Sequence, residues 1–477
     1  MRKLLAGAVG ITMALALVPA AAHAADAVIA LQDTGINPYH QVFRDTSPRA
    51  QQAPWTYILN YPTTALPLNI SFTSSTYAAA VKKDCKTWQG VKRGQLYYVP
   101  GTRIIGAISF QDGGSITCPA SSSGVVGGLP YILDNQGHGT MTASRAASNK
   151  YGACHACLIV SVQFPSSAPV PPGGSNDAMP STLQALDWLH ANSSWIDVES
   201  HSWGPIAFGT WDPTGKADLW AGGPDLARAS ERNAKSHLAF WASGNGLAGR
   251  YGFVGAPGTE TAPQLGPSVI SVGGHDSGYV STWPGLPPMV VSDDCNDWGA
   301  YWNSYDKSAD TVGSGTSSAT PYAAGGAVRI LRDAREILGD TSTGVHDGIA
   351  ASGPAGLVAS GPLADGKLTL AEWKQLVFDT ATRRPVAQYE DGPICDTLSA
   401  PYQASPIKWT DVPDQFPEYT QIGYGAVDEP AHTLALKVLR GEAPMPDRAD
   451  ADRFFALDAT VRQNLHTVFT LGSDGNG

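Results

Sequence analysis

Apolar positions recur along the chain in short unbroken runs, separated by stretches whose apolar residues follow helical spacing. Strand-like runs lie at 27–32, 103–110, 158–163, 195–199, 237–242 and 269–274. They are rich in Val, Ile and Leu without strict polar alternation, the pattern of strands covered by helices on both faces. Helical spacing appears at 181–192, where Leu183, Leu186 and Leu189 share a face, and at 319–338, which stops before Gly339. A third helix runs from Leu370 to about Thr380; Thr369, with Glu372 three residues on, forms a capping-box pattern before it. The alternation predicts an α/β fold, a three-layer, doubly wound, mostly parallel sheet with helices on both faces. Right-handed crossovers then bring the loops to one sheet edge, where such folds build their sites.

Two stretches are less regular. Residues 44–100 carry clustered aromatics and the basic group Lys82, Lys83, Lys86, Lys92 and Arg93; residues 353–366 are rich in Gly, Pro and Ala. Both are expected to be surface insertions, and the basic group a solvated face. From Gly441 onward a short charged helix and a polar end are expected.

The first 24 residues, MRKLLAGAVGITMALALVPAAAHA, show two early cations, an apolar stretch and a small-residue A-x-A site. This is the pattern of a secretory signal peptide, and Pro19 disfavours an uncleaved anchor. The division expected is a signal peptide at 1–24, one catalytic-size domain at 25–440 and a tail at 441–477. No later stretch approaches the roughly 20 apolar residues of a membrane span, so a soluble, secreted monomer is expected. Export makes Cys85, Cys118, Cys154, Cys157, Cys295 and Cys395 candidates for disulfides, with the pairing open. The composition, 43% hydrophobic and 15% charged, suits a large buried core, and the net charge of −11 argues against a nucleic-acid partner.

Three segments carry the chemistry: VIALQDTGI around Asp33, DNQGHGTMTAS around His138 and GSGTSSATPYAAGG around Ser317. Peptide hydrolysis needs a hydroxyl activated by a base, and a carboxylate that holds the base in the right tautomer. Glycines flank the reactive positions and let substrate backbone pass closely. Small residues after Ser317 permit a helix start whose free N–H groups face developing charge, and Pro321 is expected in the first turn.

In the order Asp, His, Ser, these segments resemble the three signature motifs of the subtilases, the subtilisin-like serine proteases. The likeness extends to RIIGAISF at 103–110, SHSWGP at 200–205, WASGNG at 241–246 and GYGAVD at 423–428. The resemblance implies a serine endopeptidase acting on polypeptides through an acyl-enzyme, with Ser317 as nucleophile, His138 as general base and acid, and Asp33 as its orienting group. It implies Asn245 as oxyanion donor, and Ser202, Trp203, Gly204 and Gly244 as the edge that receives an extended substrate. The chemistry implied needs no cofactor; a structural calcium ion, common in the family, has no recognisable ligand spacing here. The motifs are spaced more widely than in compact members, which insertions such as 44–100 account for. Residues 25–32 leave no room for the inhibitory propeptide the family implies, and the 44–100 insertion or the tail is expected to substitute for it.

Other readings compete. Asp33-Thr34-Gly35 and Asp276-Ser277-Gly278 form two triplets of the kind that pair carboxylates in aspartic proteases. A catalytically silent subtilase-like binding protein is a further alternative. The run at 244–249 fits a GxGxxG fingerprint, but no helical periodicity follows it. Cys154-His155-Ala156-Cys157 could be half of a zinc site, yet no second pair is suitably spaced, so a bridge is favoured.

Overall fold

The computed structural model describes residues 26–74, 76–111, 131–134, 136–164, 179–203, 223–242, 268–276, 279–280, 289–293, 297–301, 310–313, 315–338, 362–383, 423–449 and 451–452. In chain order the strands are β1 (Val28–Asp33), β2 (Leu66–Pro67), β3 (Tyr97–Tyr98), β4 (Ile104–Ser109), β5 (Leu158–Gln163), β6 (Val198–His201), β7 (Leu238–Ala242), β8 (Ile270–Asp276), β9 (Tyr279–Val280), β10 (Met289–Asp293), β11 (Asp297–Ala300) and β12 (Asp310–Gly313). The helices are α1 (Tyr77–Lys83), α2 (Cys85–Gln89), α3 (His138–Ala147), α4 (Met179–Ala191), α5 (Gly223–Ala234), α6 (Thr316–Leu338), α7 (Leu370–Thr380) and α8 (Glu429–Leu439).

The main sheet has the order β10-β8-β7-β6-β1-β5-β4-β3-β2, with β9 pairing β8. Every pair from β10 to β4 is parallel. Alternate residues of β1 supply two cores. Ile29 and Leu31 join the core under α3 and α6, while Val28 and Ala30 join the one under α4 and α5. Two covered faces explain why these strands read as continuous apolar runs. The expected strand at 195–199 lies three residues later, because Trp195 and Ile196 are fully buried but precede the ladder. The capping box before α7 forms as expected: Thr369 N donates to Glu372 Oε2 (2.8 Å) and Glu372 N to Thr369 Oγ1 (3.2 Å).

Residues 44–100 differ from the surface insertion expected. Their strands β2 and β3 extend the sheet beyond β4, and Leu68, Val81, Trp88 and Val99 join one core while Ile58, Tyr61 and Tyr98 join the other. Their apolar residues follow no single period, so the pattern did not disclose the layer they build. The four lysines of the basic group are exposed as expected, but Arg93 is half-buried and donates to the Phe110 carbonyl and to Gln184.

One buried ion pair anchors the long helix under the sheet. Arg335, near the end of α6, makes two bonds to Asp197 (2.7 and 2.9 Å) and one to the Asp26 carbonyl (2.6 Å), and both side chains are fully buried. Asp197 also accepts from Val28 N (2.8 Å), so the start of β1 and the end of α6 share one carboxylate. Ser317 stands at the opposite end of that helix.

Cys154 and Cys157 are joined by a disulfide, which settles CHAC as a local bridge and not half a zinc site. No helix among the described residues is long and apolar enough to cross a membrane. Residues 1–24 and most of the tail lie outside the described residues.

Candidate active site

Asp33 ends β1, and the chain must turn sharply there. Thr34 N donates to Asp33 Oδ1 (2.7 Å), and Gly35 adopts φ +116, where a Cβ would come within 2.5 Å of the Ile132 carbonyl oxygen. Glycine is required at that turn by both conformation and space.

His138 opens α3. The helix start has no side-chain cap at Gly137 itself; Asp134 does that work from three residues upstream. Its Oδ1 accepts from Gln136 N (3.0 Å), Gly137 N (2.9 Å) and Thr34 Oγ1 (2.9 Å), and its Oδ2 from Thr140 N (2.7 Å). A buried carboxylate at a helix N-terminus satisfies the orphan amides and ties the two loops together.

Between those loops His138 Nδ1 and Asp33 Oδ1 are 2.7 Å apart. Asp33 Oδ2 accepts from Thr142 Oγ1 (3.0 Å), one turn along α3. A carboxylate can only accept, so His138 carries its proton on Nδ1 and leaves Nε2 with a lone pair. Burial opposes protonation of the ring, but the charge and hydrogen bond of Asp33, with help from Asp134, outweigh it and raise its pKa above 6.5. The ring keeps 34% of its side-chain surface exposed, which leaves Nε2 reachable.

Ser317 is the second residue of α6 and is partly buried. Gly315, at φ +75, starts that helix three residues before the expected position, so Pro321 stands in its second turn and not its first. The proline removes the amide that would otherwise take the Ser317 carbonyl. Close packing brings α6 to α3: a Cβ on Gly325 would lie 2.4 Å from the Ala146 carbonyl oxygen. The Ser317 hydroxyl donates to the Ser202 carbonyl oxygen (3.1 Å), and among the described residues it makes no bond to His138.

Ser202 and Trp203 follow β6 beside β1, so they run past the end of the strand that carries Asp33. The Trp203 ring packs on Phe164 (4.5 Å between centroids) and Trp241 (4.8 Å). Behind them lies a buried polar cluster. Glu199 accepts from His201 Nε2 (2.9 Å) and Asn233 Nδ2 (3.0 Å) and faces His237 Nε2 (2.6 Å), and His201 stacks on Trp241 (3.9 Å). Burial opposes ionisation of Glu199, but His237 and His201 outweigh it and hold its carboxyl far below the usual range. Burial also lowers the pKa of His201, despite Glu199.

Asp276 ends β8, three strand positions from β1, a separation of roughly 14 Å between backbones. Two carboxylates sharing a proton must nearly touch, so the Asp33/Asp276 pairing is excluded.

The model of the Subtilase family matches residues 24–387, more than half of the chain. The chain belongs to the subtilase family. It is a serine-type peptidase of mostly parallel α/β architecture. A search of curated proteins found no match. Among solved structures, a cold-adapted subtilisin-like serine proteinase is 17% identical, covering 65% of this chain and 76% of that one with a TM-score of 0.35. The prenylagaramide maturation protease PagA is 15% identical, covering 88% and 97% with a TM-score of 0.41.

In this subtilase Asp33 meets His138, and Ser317 meets Ser202. Asn245, Gly204 and Gly244 lie outside the described residues, as does the 244–249 glycine run. Sequence reasoning assigned no part to Asp134, Thr142, Gln163 or the Glu199 cluster. For Asp134 a signal existed: an acidic residue just ahead of a Gly-His-Gly turn that begins a helix. Among the described residues no group of three or more His, Cys, Asp or Glu side chains is arranged to hold a metal ion.

Proposed function

We propose that this subtilase is a secreted endopeptidase that cleaves polypeptides through Asp33, His138 and Ser317. The observation that carries the reading is the 2.7 Å contact between His138 Nδ1 and Asp33 Oδ1, which leaves Nε2 as the base. The Ser317 hydroxyl leaves the Ser202 carbonyl and donates to Nε2 as substrate arrives; catalytic hydrogen bonds commonly tighten only in the complex. Ser317 Oγ then attacks the scissile carbonyl carbon while its proton passes to His138. Asp33 stabilises the imidazolium without taking the proton. Collapse of the tetrahedral intermediate expels the amine, which takes the proton from His138, and water hydrolyses the acyl-enzyme by the same steps reversed.

The N–H of Ser317 lies in the first turn of α6, where helical amides lack an intrahelical acceptor, and it is one donor for the oxyanion. The Asn245 side chain is the other in this proposal, worth about 10²–10³ in turnover. Ser202, Trp203, Gly204 and Gly244 receive the substrate backbone in extended form in this reading. The signal-peptide pattern at 1–24 supports secretion. The chain acts as a monomer, its chemistry needs no cofactor, and nucleic acid is not a partner.

The test compares the secreted protein with Ser317→Ala in hydrolysis of unfolded casein and in fluorophosphonate labelling mapped by mass spectrometry. Cleavage and labelling at Ser317 in the parent alone support the reading. If the parent is inert and unlabelled, the triad is not functional and a binding role replaces it.

A further inference from the structure

Gln163, the last residue of β5, is 1% exposed and stands in register with Asp33. Its side-chain amide makes three hydrogen bonds across the end of the sheet. Oε1 accepts from Ile132 N (2.6 Å), and Nε2 donates to the carbonyls of Thr34 (3.0 Å) and Leu133 (3.1 Å). Thr34 follows Asp33 directly; Ile132 and Leu133 lead into Asp134 and His138. The amide therefore joins the turn after Asp33 to the segment that leads into Asp134 and α3.

The backbone around it is held away from its relaxed form. Ile132 has φ +78, in a region that a β-branched residue rarely enters. Such strain persists only where the surroundings over-determine it. Here they are the Gln163 bond to Ile132 N, the Ile36 N bond to Ile132 O (2.9 Å) and the Asp134 N bond to Ile36 O (3.2 Å). Gly35 leaves room for the arrangement, since a Cβ there would lie 2.9 Å from Gln163 Nε2. An apolar side chain at 163 would leave two carbonyls and one amide without partners, and Ile132 without the contact that opposes its return to negative φ.

We propose that Gln163 is a positioning residue for peptide hydrolysis, its side-chain amide setting the separation of Asp33 from His138. The inference rests on the triad reading above. Without the amide Ile132, Leu133 and Asp134 shift, the Asp33–His138 contact lengthens, and the imidazole becomes both misplaced and less basic.

The experiment measures kcat, KM and the pH profile of kcat/KM for the unaltered protein, Gln163→Leu and Gln163→Met, with fluorophosphonate labelling of each. Met keeps the length and volume of the side chain without its hydrogen bonds, and carries the test where the Leu variant does not fold. The expected result is a fall in kcat of about 10- to 100-fold, the scale of a misplacement near 1 Å, with KM nearly unchanged. The acidic limb of kcat/KM moves to lower pH, which a loss of stability alone does not produce. Variants that melt earlier yet keep kcat and the acidic limb would overturn the role of Gln163. An unaltered protein not labelled at Ser317 would sink the triad reading itself, a separate failure.

Discussion

Thr142 Oγ1 donates to Asp33 Oδ2 at 3.0 Å, so the carboxylate oxygen not facing His138 is also held from α3. The imidazole and the hydroxyl sit one turn apart on the same helix and grip the two oxygens of one buried acid. Thr142→Val keeps the shape and removes the donor. The carboxylate then rotates more freely, and kcat is expected to fall about 10-fold, the rate equivalent of about 1.4 kcal/mol. Steady-state kinetics against a peptide substrate checks this; an unchanged kcat refutes it.

The base must be neutral to accept the proton of Ser317. Burial pushes the His138 pKa down, but Asp33 and Asp134 outweigh it, so the acidic limb of kcat/KM is expected above pH 6.5. Asp33→Asn removes the larger attraction and leaves Asp134 alone against burial, which moves the limb to lower pH and lowers kcat by about 10⁴ through the wrong tautomer. A pH series on both proteins reads the sign directly.

Arg335 and Asp197 are both fully buried, so removing one partner strands a charge. Arg335→Met is expected to destabilise by about 3–5 kcal/mol in denaturant unfolding. Arg335→Met with Asp197→Asn removes both charges while keeping an acceptor for Val28 N, and is expected to recover much of that loss. A double variant no better than the single one contradicts the electrostatic account.

Asp379 in α7 is buried, and burial together with Asp452 raises its pKa from 3.8 to about 6. Between those values the folded state binds the extra proton, so stability from this group is full below pH 3.8 and is lost as pH rises through 6. Asp379→Asn is expected to unfold at higher temperature than the parent at pH 8 and to flatten this part of the stability profile. Melting curves across pH 4–8 decide it.

What could be read along the chain was local. Apolar runs at β1, β5, β7 and β8, leucines at helical spacing in α4, the Thr369–Glu372 box, and the glycine-flanked Asp33, His138 and Ser317 segments all express their chemistry within a few residues. The sheet order was not readable. Nor was the part that residues 44–100 take in both cores, the bond from Gln163 to the strained Ile132, the Glu199 cluster behind Ser202, or the Arg335–Asp197 pair, whose members are 138 residues apart. Those features depend on which side chains meet across the sheet, and a one-dimensional pattern carries period and turn chemistry but no record of distant neighbours. The motifs named the reacting groups; packing of α3 and α6 on β1 brought Asp33 to His138 and set the Ser317 hydroxyl against the Ser202 carbonyl.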